Sequence, residues 1–175
     1  MCCFRLAMFL VLVPVVLAPA SSRALTLAPM SLAEMTAAAE TVVRVRCIDR
    51  TTTKNDDGAI ESVVRFEVLE AAKGEPGDVV EVRQLGGSHG GTRMVVPGAP
   101  LSEEGDEAVL FLERSPAGQL RVVGMALGYL PVVPASPGPS RVRVAPYLGK
   151  GFEEGGLKPV SDILDRVRRL AERSP

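Results

Sequence analysis

Apolar and polar residues alternate with period two along most of the chain, and with period 3.6 only near its two ends. Ser31-Leu32-Ala33-Glu34 has the form of a capping box, and the alanine-rich run to Glu40 favours helix, so a short helix is expected from about Leu32 to Ala39. "TVVRVRCID" from Thr41 places Val43, Val45 and Cys47 on one face and Arg44 and Arg46 on the other, as in a half-buried strand. "SVVRFEVLEAAKG" puts Val64, Phe66 and Val68 inward, and "VVEVRQL" does the same with Val80 and Val82. The turn signals "KNDDGAI" and "GEPGD" separate these segments.

The second half of the chain continues the pattern with one change. "TRMVVPG" is a further extended segment, followed by the polar loop "SEEGDE". "AVLFLE" is apolar at every position from Ala108 to Leu112, which predicts a strand covered on both faces. "QLRVVGMALG" extends the sheet after "SPAG", with bulges or bends at Gly124 and Gly128. "PASPGPS" is a break, and "RVRVA" is one more short strand. A C-terminal helix over 157–173 carries the stripe Val160, Ile163, Leu164, Val167, Leu170 and Ala171, with Pro159 in its first turn and Asp162–Arg166 and Asp165–Arg169 as i,i+4 pairs. Its polar face mixes both signs, which suits packing against the protein rather than a membrane.

Short strands at regular spacing, without crossover helices between them, predict a mainly β fold. We expect a small antiparallel barrel with a short N-terminal helix and a C-terminal amphipathic helix.

The first residues change this picture. Arg5 precedes the apolar run "LAMFLVLVPVVL", and the small residues of "APASSRA" follow, the order of a secretory signal peptide cleaved after Ala24. The run is short for a bilayer core of ~30 Å and contains Pro14, so no membrane span is expected once residues 1–24 are removed. The mature protein would be one domain, residues 25–175, in the periplasm or secreted. It would keep 18 basic and 21 acidic side chains, a net charge of −3. Its arginines are spread along the chain, and aromatics make up only 4% of the residues, so nucleic acid is not an expected partner. Of three cysteines, Cys2 and Cys3 leave with the signal, so Cys47 has no internal disulfide partner. Its inward position makes it a small core residue rather than a reactive or dimer-forming thiol.

One stretch resembles catalytic machinery. Gly86-Gly87-Ser88-His89-Gly90 fits the G-x-S-x-G pattern of a serine hydrolase elbow. An elbow needs a helix after the serine, whereas "TRMVVPG" is β-branched and ends near Pro97. The serine also needs a base, and the single histidine of the chain is its neighbour His89. One His and one inward Cys are too few to bind zinc, no phosphate-binding P-loop is present, and no cofactor is expected. The stretch therefore predicts a mobile loop or wide bulge between strands, with Gly87, Ser88, His89, Gly90 and Arg93 as candidate binding residues for a partner of unknown identity.

"AAAETVVRVRC", "RFEVLEAAKGEPGDVVEVRQ" and "EEGDEAVLFLE" together resemble exported bacterial proteins of unassigned function. The pattern is also similar to the oligonucleotide/oligosaccharide-binding-like barrel of tissue inhibitors of metalloproteinases and netrin-type modules. The resemblance implies a barrel, and the leading expectation is that this barrel binds a protein or glycan at the cell surface or in the periplasm without catalysis. It carries no inhibitory residue across, because those inhibitors use an N-terminal cysteine and the expected mature N-terminus here is Leu25. A serine hydrolase using Ser88 and a peptidase inhibitor acting through a surface loop are the alternative expectations.

Overall fold

The computed structural model describes residues 29–55, 57–100, 102–135, 137–144 and 156–173. The expected signal peptide lies outside them. Helix α1 (Leu32–Ala38) begins at the anticipated capping box: Ser31 Oγ accepts from the Glu34 amide at 3.1 Å, and the Ser31 amide donates to Glu34 Oε2 at 2.7 Å. Three longer strands follow, β1 (Thr41–Lys54), β2 (Ile60–Lys73) and β3 (Val79–Leu85), joined as antiparallel neighbours. A small hairpin, β4 (Gly87–His89) and β5 (Thr92–Met94), leads to β6 (Glu107–Arg114) and β7 (Leu120–Val122).

Strand order β1-β2-β3-β7-β6, with β6 pairing back onto β1, closes a five-stranded barrel. Alternating directions cannot be kept around a ring with an odd number of strands, so one neighbouring pair must be parallel. That pair is β3–β7, and it meets at a single register position, Val82 opposite Leu120. The order is compatible with an oligonucleotide/oligosaccharide-binding-like barrel.

Strand β6 reads as apolar throughout because it separates two cores. Ala108, Leu110 and Leu112 face the barrel interior with Val43, Val45, Phe66 and Val82. Val109 and Phe111 face outward into a second core, capped by α1 through Leu32 and Met35 and by α2 (Val160–Ala171) through Ile163, Leu164 and Val167. Covering both faces of β6 leaves its whole apolar run dry, as expected of such a sequence.

Several local expectations change. The segment after Gln119 is strand only to Val122. Gly124 then takes a left-handed backbone (φ +57°), a 3-10 turn spans Met125–Gly128, and β8 (Tyr129–Val133) returns along the first half of β6. Strands β9 (Arg141–Val144) and β10 (Gly156–Pro159) extend this side of the sheet. Residues 157–159 are therefore strand, and α2 begins at Val160 after Pro159 rather than at 157. Asp165 pairs with Arg168, one residue before Arg169, and Arg168 also bridges to Glu70 of β2, which ties the helix to the barrel wall.

Candidate functional site

The glycine stretch folds as a hairpin, not as the loop or bulge expected. Ser88 lies opposite Arg93, and His89 opposite Thr92. The two residues between them, Gly90 and Gly91, both have positive φ (+55° and +77°). That is the pattern of the tight hairpin turns whose twist matches the flanking strands, and it uses glycine at no steric cost. Gly87 is constrained differently. It is buried at φ +137°, and a Cβ there would sit 2.7 Å from both Ser62 Oγ and Thr52 Cγ2.

This geometry also settles where the candidate residues point. Ser88 is exposed in the middle of β4 with a turn and strand after it, so no strand-to-helix elbow forms. Neighbouring strand residues face opposite sides. The His89 ring accordingly turns away from Ser88, with Nδ1 3.1 Å from the Thr52 carbonyl oxygen of β1. Gly87, Ser88, His89, Gly90 and Arg93 share one hairpin, and none of them lines the cavity that Gln84 borders.

A polar layer that the alternation did not reveal lies beneath the hairpin. Along β1 the inward residues are Val43, Val45 and Cys47, until Ile48 is left over between the pairs Cys47–Phe66 and Asp49–Arg65. This bulge shifts the phase of the strand by one residue. Half-buried positions beyond it are therefore Arg50 and Thr52. The Arg50 guanidinium donates to Ser62 Oγ at 3.1 and 3.2 Å and to the Ser102 carbonyl at 3.4 Å. Ser62, fully buried, donates in turn to the Gly86 carbonyl at 2.8 Å and lies 3.1 Å from Thr52 Oγ1. Ser102 Oγ donates to the Tyr129 hydroxyl at 3.4 Å, and burial raises the Tyr129 phenol above its ordinary range. Burial likewise raises the Cys47 thiol, which is free and enclosed as anticipated.

Gln84 extends the inward series of β3 beyond Val80 and Val82, opposite Ser62 of β2. Unlike Arg50 and Ser62, it has no partner: the side chain is 6% exposed, and neither Nε2 nor Oε1 makes a hydrogen bond. A buried polar group left unsatisfied costs about 1–3 kcal/mol. Gln84 borders a cavity of about 420 Å³ at the seam where β3 and β7 part, together with Leu85, Ala99, Pro100, Val122 and Met125. Met125 has φ +58°, the left-handed backbone that among the described residues every other member shares as glycine. Ala126 holds it there by donating to the Gly98 carbonyl at 2.8 Å. Strained backbone of this kind costs about 1–3 kcal/mol and clusters where ligands bind. The rim charges are neutralised locally, Arg83 by Glu61 at 3.2 Å and Arg121 by Glu113 at 3.0 Å.

The inward parity of β3 could have singled out Gln84, since it continues Val80 and Val82. Nothing in the linear pattern signals Met125 or the parting of β3 from β7. Among the described residues, no helix is long and apolar enough to cross a membrane, and no three His, Cys, Asp or Glu side chains form a group able to hold a metal ion. No model of a known protein family matches this chain, and no curated protein matches it.

Proposed function

We propose that this protein is an exported, non-enzymatic binding module, periplasmic or secreted, whose oligonucleotide/oligosaccharide-binding-like barrel takes a protein or glycan at the β3–β7 seam. The observation that carries this reading is the buried, unpartnered Gln84 carboxamide beside a cavity of about 420 Å³. Ligand sites are typically concave, mostly apolar, and supplied with a few placed polar groups. The amide donor and acceptor are closed off from water without partners, and a ligand can satisfy them when the Gln84 side chain turns toward the cavity. The strand order, with its parallel closing pair, supports the barrel type.

Capture from the native cell envelope tests the reading. Full-length protein processed by its host should retain a partner that Ala99→Trp, which fills the cavity, loses. Equal capture by both overturns the seam as the site. Intact mass of the processed protein checks export, with cleavage expected after Ala24. A fluorophosphonate that labelled the wild type but not Ser88→Ala would overturn the non-enzymatic reading in favour of a hydrolase.

A further inference from the structure

Resting on the seam as the binding site, we infer that its ligand is an extended polypeptide segment, with the Gln84 carboxamide turned toward the cavity to pair with one peptide group and an adjacent aliphatic side chain in the cavity. Three features of the seam select this chemistry. A carboxamide presents one donor group and one acceptor, the same pair that a peptide group offers in complement. Both halves of the Gln84 amide lack partners, so a ligand that supplies only a donor or only an acceptor leaves one of them orphaned.

The strand edges add main-chain capacity. Beyond the Val82–Leu120 pair, neither β3 at residues 83–85 nor β7 at residues 121–122 has a register partner across the seam. An extended segment lying along such an edge can pair with it in the manner of strand addition, with alternate side chains directed into pockets.

The lining argues against a stacked ligand. Half of the wall is aliphatic, Leu85, Ala99, Val122 and Met125 among it, Ser115 and Gln119 add polar groups, and no aromatic ring borders the cavity. It therefore offers no stacking platform for a nucleobase or a sugar face. Arg83 and Arg121 are already paired with Glu61 and Glu113, which leaves this rim little net positive charge to draw an anion. The volume, about 420 Å³, has room for a leucine-sized side chain and its flanking main chain.

The test uses the full-length chain processed by its host and N-acetyl-leucine N-methylamide, a probe that sets a leucine side chain between two peptide groups. Methionine-methyl and glutamine-amide NMR signals are followed, with Met125 assigned through Met125→Leu. The probe should shift the Met125 methyl and Gln84 amide signals saturably, while N-acetyl-glycine N-methylamide at the same concentration leaves the methyl unmoved. Gln84→Met should weaken the leucine probe about tenfold, the loss expected for a paired amide. Equal binding by Gln84→Met overturns the amide pairing. Maltose moving these signals in place of the leucine probe overturns the peptide assignment and leaves the seam as a site. Envelope capture that depends on the cavity, with no binding of the leucine probe, has the same consequence. Self-association abolished by Ala99→Trp identifies a second folded copy as the occupant and also overturns it. Ala99→Trp bears on these outcomes only if it melts like the wild type, whereas the Gln84→Met comparison does not depend on it.

Discussion

On the N-terminal side of Cys47, β1 contributes Val43 and Val45 to an interior filled by Phe66, Val82, Leu110 and Leu112. Beyond Cys47, the same strand contributes Arg50 and Thr52 to a layer with Ser62, Ser102 and Gln84. One end of the barrel thus buries aliphatic and aromatic surface, which stabilises it at roughly 25 cal/mol per Å². The other buries hydrogen-bonding groups, whose net contribution is small when satisfied and negative when not. A barrel that needed only to fold would gain by continuing valine to its rim. The contrast teaches that this fold keeps its stability at one end and its unspent polar chemistry at the other.

The largest expected effect lies at the apolar end. Phe66 is fully buried, so Phe66→Ala should cost about 3–5 kcal/mol in denaturant unfolding. A cost below about 1 kcal/mol would remove the distinction between the ends. Next comes Gly87→Val at the polar end. Its side chain would meet Ser62 and Thr52 at φ +137°, and stability should fall by about 2 kcal/mol or more.

Gln84→Met should change stability in the opposite direction. It removes two orphaned polar atoms while keeping the shape of the side chain, so the melting temperature should rise, by an amount on the order of 1 kcal/mol in stability. A fall would mean that the carboxamide is satisfied in the free protein and is not held for a ligand.

The Cys47 thiol gives a gentler test of burial. Its folded-state pKa is raised by desolvation, so the native state holds the proton more tightly than the unfolded chain. This contribution is complete below the ordinary thiol value of ~8.5 and is lost as pH rises through the folded-state pKa. Stability should decline with rising alkaline pH more steeply in the wild type than in Cys47→Ala. Parallel profiles would place the thiol in contact with water. The smallest effect belongs to the exposed hairpin: Ser88→Ala should leave stability within about 0.5 kcal/mol of wild type.

The sequence by itself determined the elements whose signals are local. The Ser31–Glu34 capping box, the alternation around Val43 and Phe66, the two-sided apolar run from Ala108 to Leu112, and the stripe of α2 depend on neighbours within a few residues. For that reason the mainly β barrel with two helices was legible. Only the tertiary structure decided the seam. The bulge at Ile48 exchanges the inward face of β1, and a single surplus residue leaves no mark on a composition or a period. The glycines of "QLRVVGMALG" announce a bend, but the 3-10 turn at Met125–Gly128 and the return of β8 along β6 depend on contacts between distant segments. The glycines near Ser88 carried a catalytic pattern, but their backbone was decided by pairing with Thr92–Met94 and by packing against Ser62 and Thr52. Gln84 stands where the two kinds of information meet. Strand parity turns it inward, while the surroundings that closure of the barrel brings to it leave its amide without a partner.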